Sequence, residues 1–281
     1  AYRHYKQNRA QAITRQGLIE FSEGYWKTAE RHLIKALPHT DIPLFNYLMA
    51  ARAAQERHQL LLRDHYLREA QQMEPQAKIA VKLTQAQLQI TAQQWEQALA
   101  TLQHLHEIAP KHPYVLTLLA QLYETVKDWS TLLPLLPRLQ KHTLLSPEQF
   151  SAFQHRVYLA YFQDACKQPP SLDKLTATFQ ILPKPYRQEV DFLLPYCRAL
   201  SHYQAWDALS RLLKPSLSKK LQDDLLWLYM TLPPQEEQLA FVKSLLKTHP
   251  QAAMVHFCLG YLNLEAHLFG QARHYFEQSL A

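Results

Sequence analysis

The sequence predicts an all-α fold of stacked antiparallel helix pairs, and three observations carry that prediction. Glycine occurs only at positions 17, 24, 260 and 270 of 281 residues, too few for the hairpins and bulges of a sheet protein of this length. The 17 prolines fall mostly between apolar-periodic stretches, where proline ends helices. Small and large apolar residues recur in phase about every 34 residues along the first half and again at the end.

That period is the length of a tetratricopeptide (TPR) repeat, two antiparallel helices that cross closely at small residues and cannot bury their apolar face without a neighbour. A first unit over 10–43 places Gly17, Ala29 and Ala36 at the small positions, Leu33 at the large one and Gly24 in the turn. A second, from Leu44, places Ala51, Leu67, Ala70 and Pro75. A third, from about Ile79, has Ala86, Ala98, Leu102, Leu105 and Pro110, and a fourth, from Pro113, has Ala120, Tyr123, Leu136 and Leu139. The starts lie 34, 35 and 34 residues apart. Two more units, from near Lys219 and Ala253, place Leu225, Tyr229, Val242 and Leu245, then Leu259, Gly260, Ala272 and Phe276.

The middle is less regular. Ser146-Pro147 reads as an N-cap followed by a first-turn proline, and helices are expected over 148–166, 171–182, 189–203 and 205–213. The spacing departs from 34, and Pro169, Pro170, Pro183 and Pro185 interrupt the pattern. The organisation expected is therefore an N-terminal TPR array over 1–144, a degenerate helical-repeat joint over 145–217 and a C-terminal TPR pair over 218–281, in a right-handed superhelix. A separate inserted fold in the middle is the alternative. Trp26, Trp95, Trp129 and Trp206 each open a second helix, a repetition that argues for packing between helices.

In such a solenoid the first helix of each pair lines a concave groove, and one stripe of each faces it. The stripe expected here contains Arg15, Phe45, Leu48, Arg52, Gln55, Ala80, Leu83, Gln87, Tyr114, Thr117, Gln121 and Glu124. It is polar and aromatic with few charges, which suits an extended peptide or a partner helix held by amide hydrogen bonds and aromatic packing. The repeated Lys and Asn of a carboxylate clamp are absent from it.

The chemistry-bearing patterns are weak. Glycine is too scarce for a phosphate-cradling loop or a dinucleotide fingerprint. No two of the 15 histidines are three or four residues apart, the spacing that lets two helical ligands face one metal ion. Neither a serine nucleophile elbow nor a cysteine-protease context is present. No catalytic residue and no metal ligand is assigned, and a non-enzyme is expected. Cys166, Cys197 and Cys258 are odd in number and widely spaced, as for buried thiols in a reducing compartment.

The net charge is +6, and residues 1–19 carry Arg3, Lys6, Arg9 and Arg15 with no acidic residue. Composition leaves open a contact with anionic lipid or nucleic acid and a plain solvated helix start. Base-by-base RNA reading by helical repeats needs a basic groove and a polar code pair in each unit; the stripe has neither, so nucleic acid is not expected as a partner. No stretch reaches the roughly 18 apolar residues that span a bilayer, and no signal-peptide pattern is present.

Several segments carry a family resemblance. They are Gln16-Gly-Leu-Ile-Glu-Phe-Ser-Glu-Gly-Tyr-Trp-Lys-Thr-Ala-Glu, Pro43-Leu-Phe-Asn-Tyr-Leu-Met-Ala-Ala-Arg-Ala-Ala-Gln, Arg63-Asp-His-Tyr-Leu-Arg-Glu-Ala, Ala86-Gln-Leu-Gln-Ile, His112-Pro-Tyr-Val-Leu and Asp128-Trp-Ser-Thr-Leu-Leu-Pro-Leu-Leu-Pro. Together they resemble the HemY-type TPR proteins of proteobacteria, densely over 10–140 and more thinly beyond. The resemblance implies two N-terminal transmembrane helices, absent from this sequence, and a cytoplasmic TPR domain at the bacterial inner membrane. It also implies a non-catalytic scaffold or regulator of late protohaem biosynthesis, whose partners are proteins such as the enzymes of protoporphyrinogen oxidation and ferrochelation. On that reading the basic start is the cytoplasmic edge of a membrane anchor. The flavin-dependent oxidase that has shared the name needs a glycine-rich fingerprint that is missing here. No cofactor is assigned; haem or porphyrin binding through groove aromatics and histidines is one alternative, and a TPR assembly factor unrelated to haem is another. The oligomeric state is left open.

Overall fold

The computed structural model describes residues 2–142, 145–167, 171–233 and 236–280. Pro169, Pro170 and the side chain of Arg3, singled out above, lie outside them. The described residues form sixteen α-helices and two short 3-10 turns, with no strand among them. The fold is an all-α TPR solenoid. No helix among the described residues is long and apolar enough to cross a membrane.

The chain divides into two compact units, Ala1–Phe150 and Ser151–Ala281. The first holds four helix pairs: α1 (Tyr2–Ser22) with α2 (Trp26–Ala36), α3 (Pro43–Glu56) with α4 (Leu60–Met73), α5 (Lys78–Thr91) with α6 (Trp95–Ile108), and α7 (Pro113–Val126) with α8 (Trp129–His142). The division falls inside α9 (Pro147–Lys167). The second unit continues with α10 (Leu172–Ile181), α11 (Val190–His202), α12 (Trp206–Lys219), α13 (Asp223–Met230), α14 (Glu236–Thr248), α15 (Ala253–Glu265) and α16 (Phe269–Leu280).

The repeat residues read from the sequence sit where the helices cross. Ala29, Ala36, Ala51, Ala70, Ala86, Ala98, Ala120 and Ala272 are buried, as are Leu33, Leu67, Leu102 and Leu136 at the large apolar position. Gly17 lies on α1, and a Cβ there would meet the Leu33 side chain at 3.0 Å and the Ala29 carbonyl at 3.2 Å. Trp26, Trp95, Trp129 and Trp206 are the first residues of α2, α6, α8 and α12, each half-buried.

One turn geometry recurs. Gly24, His58, Gln93, Lys127, Gln204 and His267 all have φ between 54° and 84°, the left-handed conformation that closes a helix. The next residue donates its N–H to a carbonyl five residues back, as in Tyr25→Glu20, Gln59→Ala54, Gln94→Gln89, Asp128→Tyr123, Ala205→Leu200 and Leu268→Asn263. This is a Schellman-type cap, and the second helix starts one residue later. The cap returns at the 34-residue period through the first unit.

The middle of the chain is helical close to the expected limits. Ser146 and Gln149 exchange side-chain-to-backbone hydrogen bonds of 3.2 and 3.0 Å at the head of α9, a reciprocal capping box. The first helix begins at Tyr2, so the basic segment is itself helical. Two expectations are corrected. Proline does not only end helices: Pro134, Pro137, Pro195 and Pro215 lie inside α8, α11 and α12, and α12 runs on to Lys219 where an end near Leu213 is expected. Each such proline leaves the carbonyl four residues back without its intrahelical donor. Pro134, Pro137 and Pro215 are exposed and Pro195 is half-buried, so water can serve the freed groups.

Each unit has its own core. In the first, Leu33, Ala50, Ala51, Ala54, Tyr66, Leu67, Ala70, Val81 and Leu88 cluster. In the second, Phe162, Phe179, Phe192 and Tyr196 join the buried leucines of α11–α15, with Phe179 stacked on Tyr196 at 4.0 Å. Cys197 and Cys258 are buried and Cys166 partly so. Burial pushes their thiols up to about 12, 12 and 11, with Asp223 adding to the effect at Cys258.

Candidate functional site: a polar ladder on the first helices of unit one

The first helices of the N-terminal unit are held in register by buried polar groups. The Asn46 amide on α3 donates to the Leu33 carbonyl of α2 at 2.9 Å and to Thr14 Oγ1 of α1 at 3.0 Å. The buried Glu30 carboxylate on α2 accepts from Tyr66 Oη at 2.9 Å and is paired with Arg57. Burial first, then the hydrogen bond to Glu30, pushes the Tyr66 phenol well above its ordinary value. Arg63 on α4 is 2% exposed. Its guanidinium donates to Gln55 Oε1 at 2.9 Å, Gln94 Oε1 at 3.0 Å and Asp64 Oδ1 at 2.8 Å, so one buried cation ties α3, α4 and the turn before α6. Buried polar groups matched in this way set geometry, since leaving one unpaired is costly.

On that frame three of the stripe residues meet. Arg52 Nη2 on α3 donates to Gln87 Oε1 on α5 at 3.0 Å, and Gln87 Nε2 donates to Tyr114 Oη on α7 at 2.6 Å. Arg52, Gln87 and Tyr114 are all half-buried. The ladder crosses three successive first helices and uses one of the five guanidinium N–H groups, leaving others for a ligand.

The remaining stripe residues are placed as follows. Arg15 and Gln121 are exposed, and Phe45 keeps much of its ring in water. Leu83, Thr117 and Glu124 are half-buried; the Thr117 hydroxyl donates to the Pro113 carbonyl of its own helix. Leu48 packs partly against the core cluster. Gln55 is the one correction. It is 6% exposed and its amide oxygen is taken by Arg63, so it belongs to the buried frame and not to a ligand-facing surface. Two clefts, of about 520 and 480 Å³, are lined by other residues, among them Lys219, Lys220 and Pro215 in one and His106, Tyr123 and Arg138 in the other.

The stripe has counterparts in the C-terminal unit. Carried into the units that start near Lys219 and Ala253, the same stripe positions fall on Lys220, Asp223, Trp227 and Met230, then Met254, Phe257, Tyr261 and Leu264; of the apolar ones Trp227, Phe257, Tyr261 and Leu264 are exposed, while Met230 is buried and Met254 half-buried. The buried Arg63 and Glu30 were also missed, because charged residues on a helix ordinarily read as solvated.

The comparisons with known proteins bear on the repeat fold and on the N-terminal part of the chain. The family model described as the HemY protein N-terminus matches residues 1–58, and a tetratricopeptide repeat model matches 65–122. Protein HemY of Escherichia coli (strain K12) is 29% identical over 160 residues, which cover 57% of this chain and 40% of that protein. The chain is thus similar to HemY proteins in its N-terminal part and to tetratricopeptide repeats over 65–122. Protein HemY of Shigella flexneri matches with the same identity and coverage. The matched segment of these relatives is thus less than half of their length. Among solved structures, the one entitled "Structure of Naa15/Naa10 bound to HypK-THB" contains a chain similar to this one with a TM-score of 0.53 at 13% identity. The match covers 96% of this chain and 45% of that one, a likeness of fold alone.

Proposed function

We propose that this HemY-type chain is a non-catalytic protein-binding scaffold or regulator associated with late protohaem biosynthesis, and that it holds partner proteins along the Arg52–Gln87–Tyr114 stripe. The observation that carries the reading is the ladder itself. Three side chains from three repeats are fixed by one another before any ligand arrives, which lowers the ordering cost of binding. Arg52 and Gln87 keep donors and acceptors for a partner's backbone or side chains, while Phe45, Leu48 and Leu83 supply apolar contact beside them. The haem-pathway association rests on the likeness to HemY proteins over the N-terminal half.

The same likeness supports a site at the cytoplasmic face of a bacterial inner membrane, with the basic helix α1 at the membrane-proximal end. Its Lys6, Arg9 and Arg15 precede the first acidic residue of the sequence, Glu20, a composition favoured next to anionic head groups.

The test is affinity capture of the tagged chain from native membranes after crosslinking, with partners identified by mass spectrometry. Late haem-pathway enzymes are expected, and the double variant Arg52→Ala, Gln87→Ala should lower their recovery by about tenfold, the loss typical of a central polar contact. Recovery of other proteins in their place would sink the haem association. Undiminished recovery by the double variant would sink the stripe as the binding surface. Haemin titration supplies the counter-test: a Soret shift saturating near one equivalent would replace the scaffold reading by tetrapyrrole binding.

A further inference from the structure

The C-terminal unit carries an apolar face that its own core does not use. Trp227 on α13 and Phe257, Tyr261 and Leu264 on α15 are 51%, 37%, 38% and 41% exposed. The last three follow i, i+4, i+7 spacing and so share one side of α15. Val255, Cys258 and Leu259 on its other side are buried in the core, as are Leu225, Leu226 and Tyr229 of α13. The Trp227 and Phe257 rings lie 6.2 Å apart, so the two helices present one continuous surface. Scattered exposed apolar residues are ordinary, but a contiguous aromatic cluster on a soluble surface marks an interaction site.

The rim of the face is acidic. Asp223 and Asp224 lie one turn before Trp227, and Glu265 lies one turn after Tyr261. Lys219 and Lys220, the lysines nearest in sequence, line the cleft shared with Pro215 and Leu193, and the basic side chains nearer still are the histidines His256, which is buried, and His267. We propose that this face is a docking surface for a basic amphipathic helix of a partner protein, a site distinct from the Arg52–Gln87–Tyr114 stripe.

Two arguments select that occupant. The four side chains that make the face offer only the Trp227 indole N–H and the Tyr261 hydroxyl as hydrogen-bonding groups, so an extended segment would bury most of its backbone N–H and C=O groups without partners. A helix satisfies those groups internally and lays an apolar stripe into such a groove. The three carboxylates favour Lys and Arg beside that stripe and oppose anionic lipid head groups and nucleic-acid phosphates.

The test uses a fluorescein-labelled Lys/Leu helical peptide with leucine at i, i+3, i+4 and i+7, and a Glu/Leu peptide of the same pattern. Anisotropy with the full chain should show saturable binding of the Lys/Leu peptide and at least about tenfold weaker binding of the Glu/Leu peptide. The variant Trp227→Gln, Leu264→Gln, with an unchanged circular dichroism melt, should weaken the Lys/Leu peptide about tenfold. The variant Asp223→Asn, Asp224→Asn, whose side chains are solvent-exposed, should weaken it about threefold and flatten its salt dependence. Arg52→Ala with Gln87→Ala should leave it unchanged, which separates failure here from failure of the stripe. Equal affinity for both peptides, or binding insensitive to the Trp227 and Leu264 changes, overturns the proposal. So does sedimentation showing a dimer of this chain that Trp227→Gln dissociates, since the occupant would then be a second copy.

Discussion

Gly260 on α15 sits directly under the Phe276 ring of α16: a Cβ built at Gly260 would stand 2.6 Å from Phe276 Cδ1 and 2.7 Å from Cε1. Both separations are below any real carbon contact, and the ring edge cannot fold away as the end of a flexible chain would. Gly260→Ala gains about 1 kcal/mol of helix propensity but loses about 1–3 kcal/mol to overpacking. The expected outcome is a net loss of up to about 2 kcal/mol, read as a lower urea midpoint. Adding Phe276→Leu should recover part of it by relieving the clash, and a double variant no more stable than Gly260→Ala would show that the contact is not the cause.

The left-handed turns give a graded prediction. Only the first of the six described turns uses glycine; Gln93 and Lys127 hold φ of 56° and 59° with a side chain in place. An L-residue pays about 1–2 kcal/mol for that conformation, while glycine pays about 0.5–1 kcal/mol in chain entropy. Gln93→Gly and Lys127→Gly should therefore be neutral to stabilising by up to about 1 kcal/mol. Gln93→Val, β-branched at positive φ, should cost about 1–3 kcal/mol. Thermal melts of the three variants check the order, and a valine variant as stable as the parent would contradict the assigned turn.

Arg63 tests the buried frame. Its guanidinium serves Gln55 and Gln94 in the interior and Asp64 at the edge. Arg63→Ala leaves the buried Gln55 amide oxygen without a donor and removes a packed stem, so a loss of about 2–4 kcal/mol is expected. Arg63→Met keeps the stem and should cost less than the alanine change. Hydrogen exchange supplies the discriminating readout: protection should fall in α3, α4 and the turn before α6, and leave α15 and α16 unchanged.

How far the fold could be read from the chain depended on which force sets each feature. The helix pairs of unit one were legible because close crossing demands small residues at fixed intervals, and Ala29, Ala51, Ala86 and Ala98 leave that trace. The corrections have a different origin. Pro215 lies inside α12 because an exposed face lets water replace a lost backbone bond, which no local pattern reports. Gln55 looks like a stripe residue by position, and only the arrival of Arg63 from α4 makes it interior. The Arg52–Gln87–Tyr114 ladder was legible as a set of positions, while its internal bonds depend on the stacking of three repeats. The aromatic face of unit two needed no new signal, only the same positional rule carried on to Trp227 and Phe257.

The buried thiols predict a loss of stability in alkali. Burial raises the Cys197 and Cys258 thiols to about 12 and the Tyr229 phenol to about 12. Each group is thus harder to ionise folded than unfolded, where thiols lose their proton near 8.5 and phenols near 10. For a neutral acid with a raised folded value, the contribution is full below the unfolded value and is lost as pH rises towards the folded one. Stability should therefore be insensitive to these groups up to about pH 8 and fall between about pH 9 and 12, by at most ~1.4 kcal/mol per pH unit for each group. Urea midpoints measured at about pH 8, 9.5 and 10.5 check the window. Cys197→Ala should lower stability at the first of these by about 1 kcal/mol through the cavity it leaves, yet flatten the decline above it. A parallel decline in the variant would mean that the Cys197 thiol does not contribute to the alkaline transition.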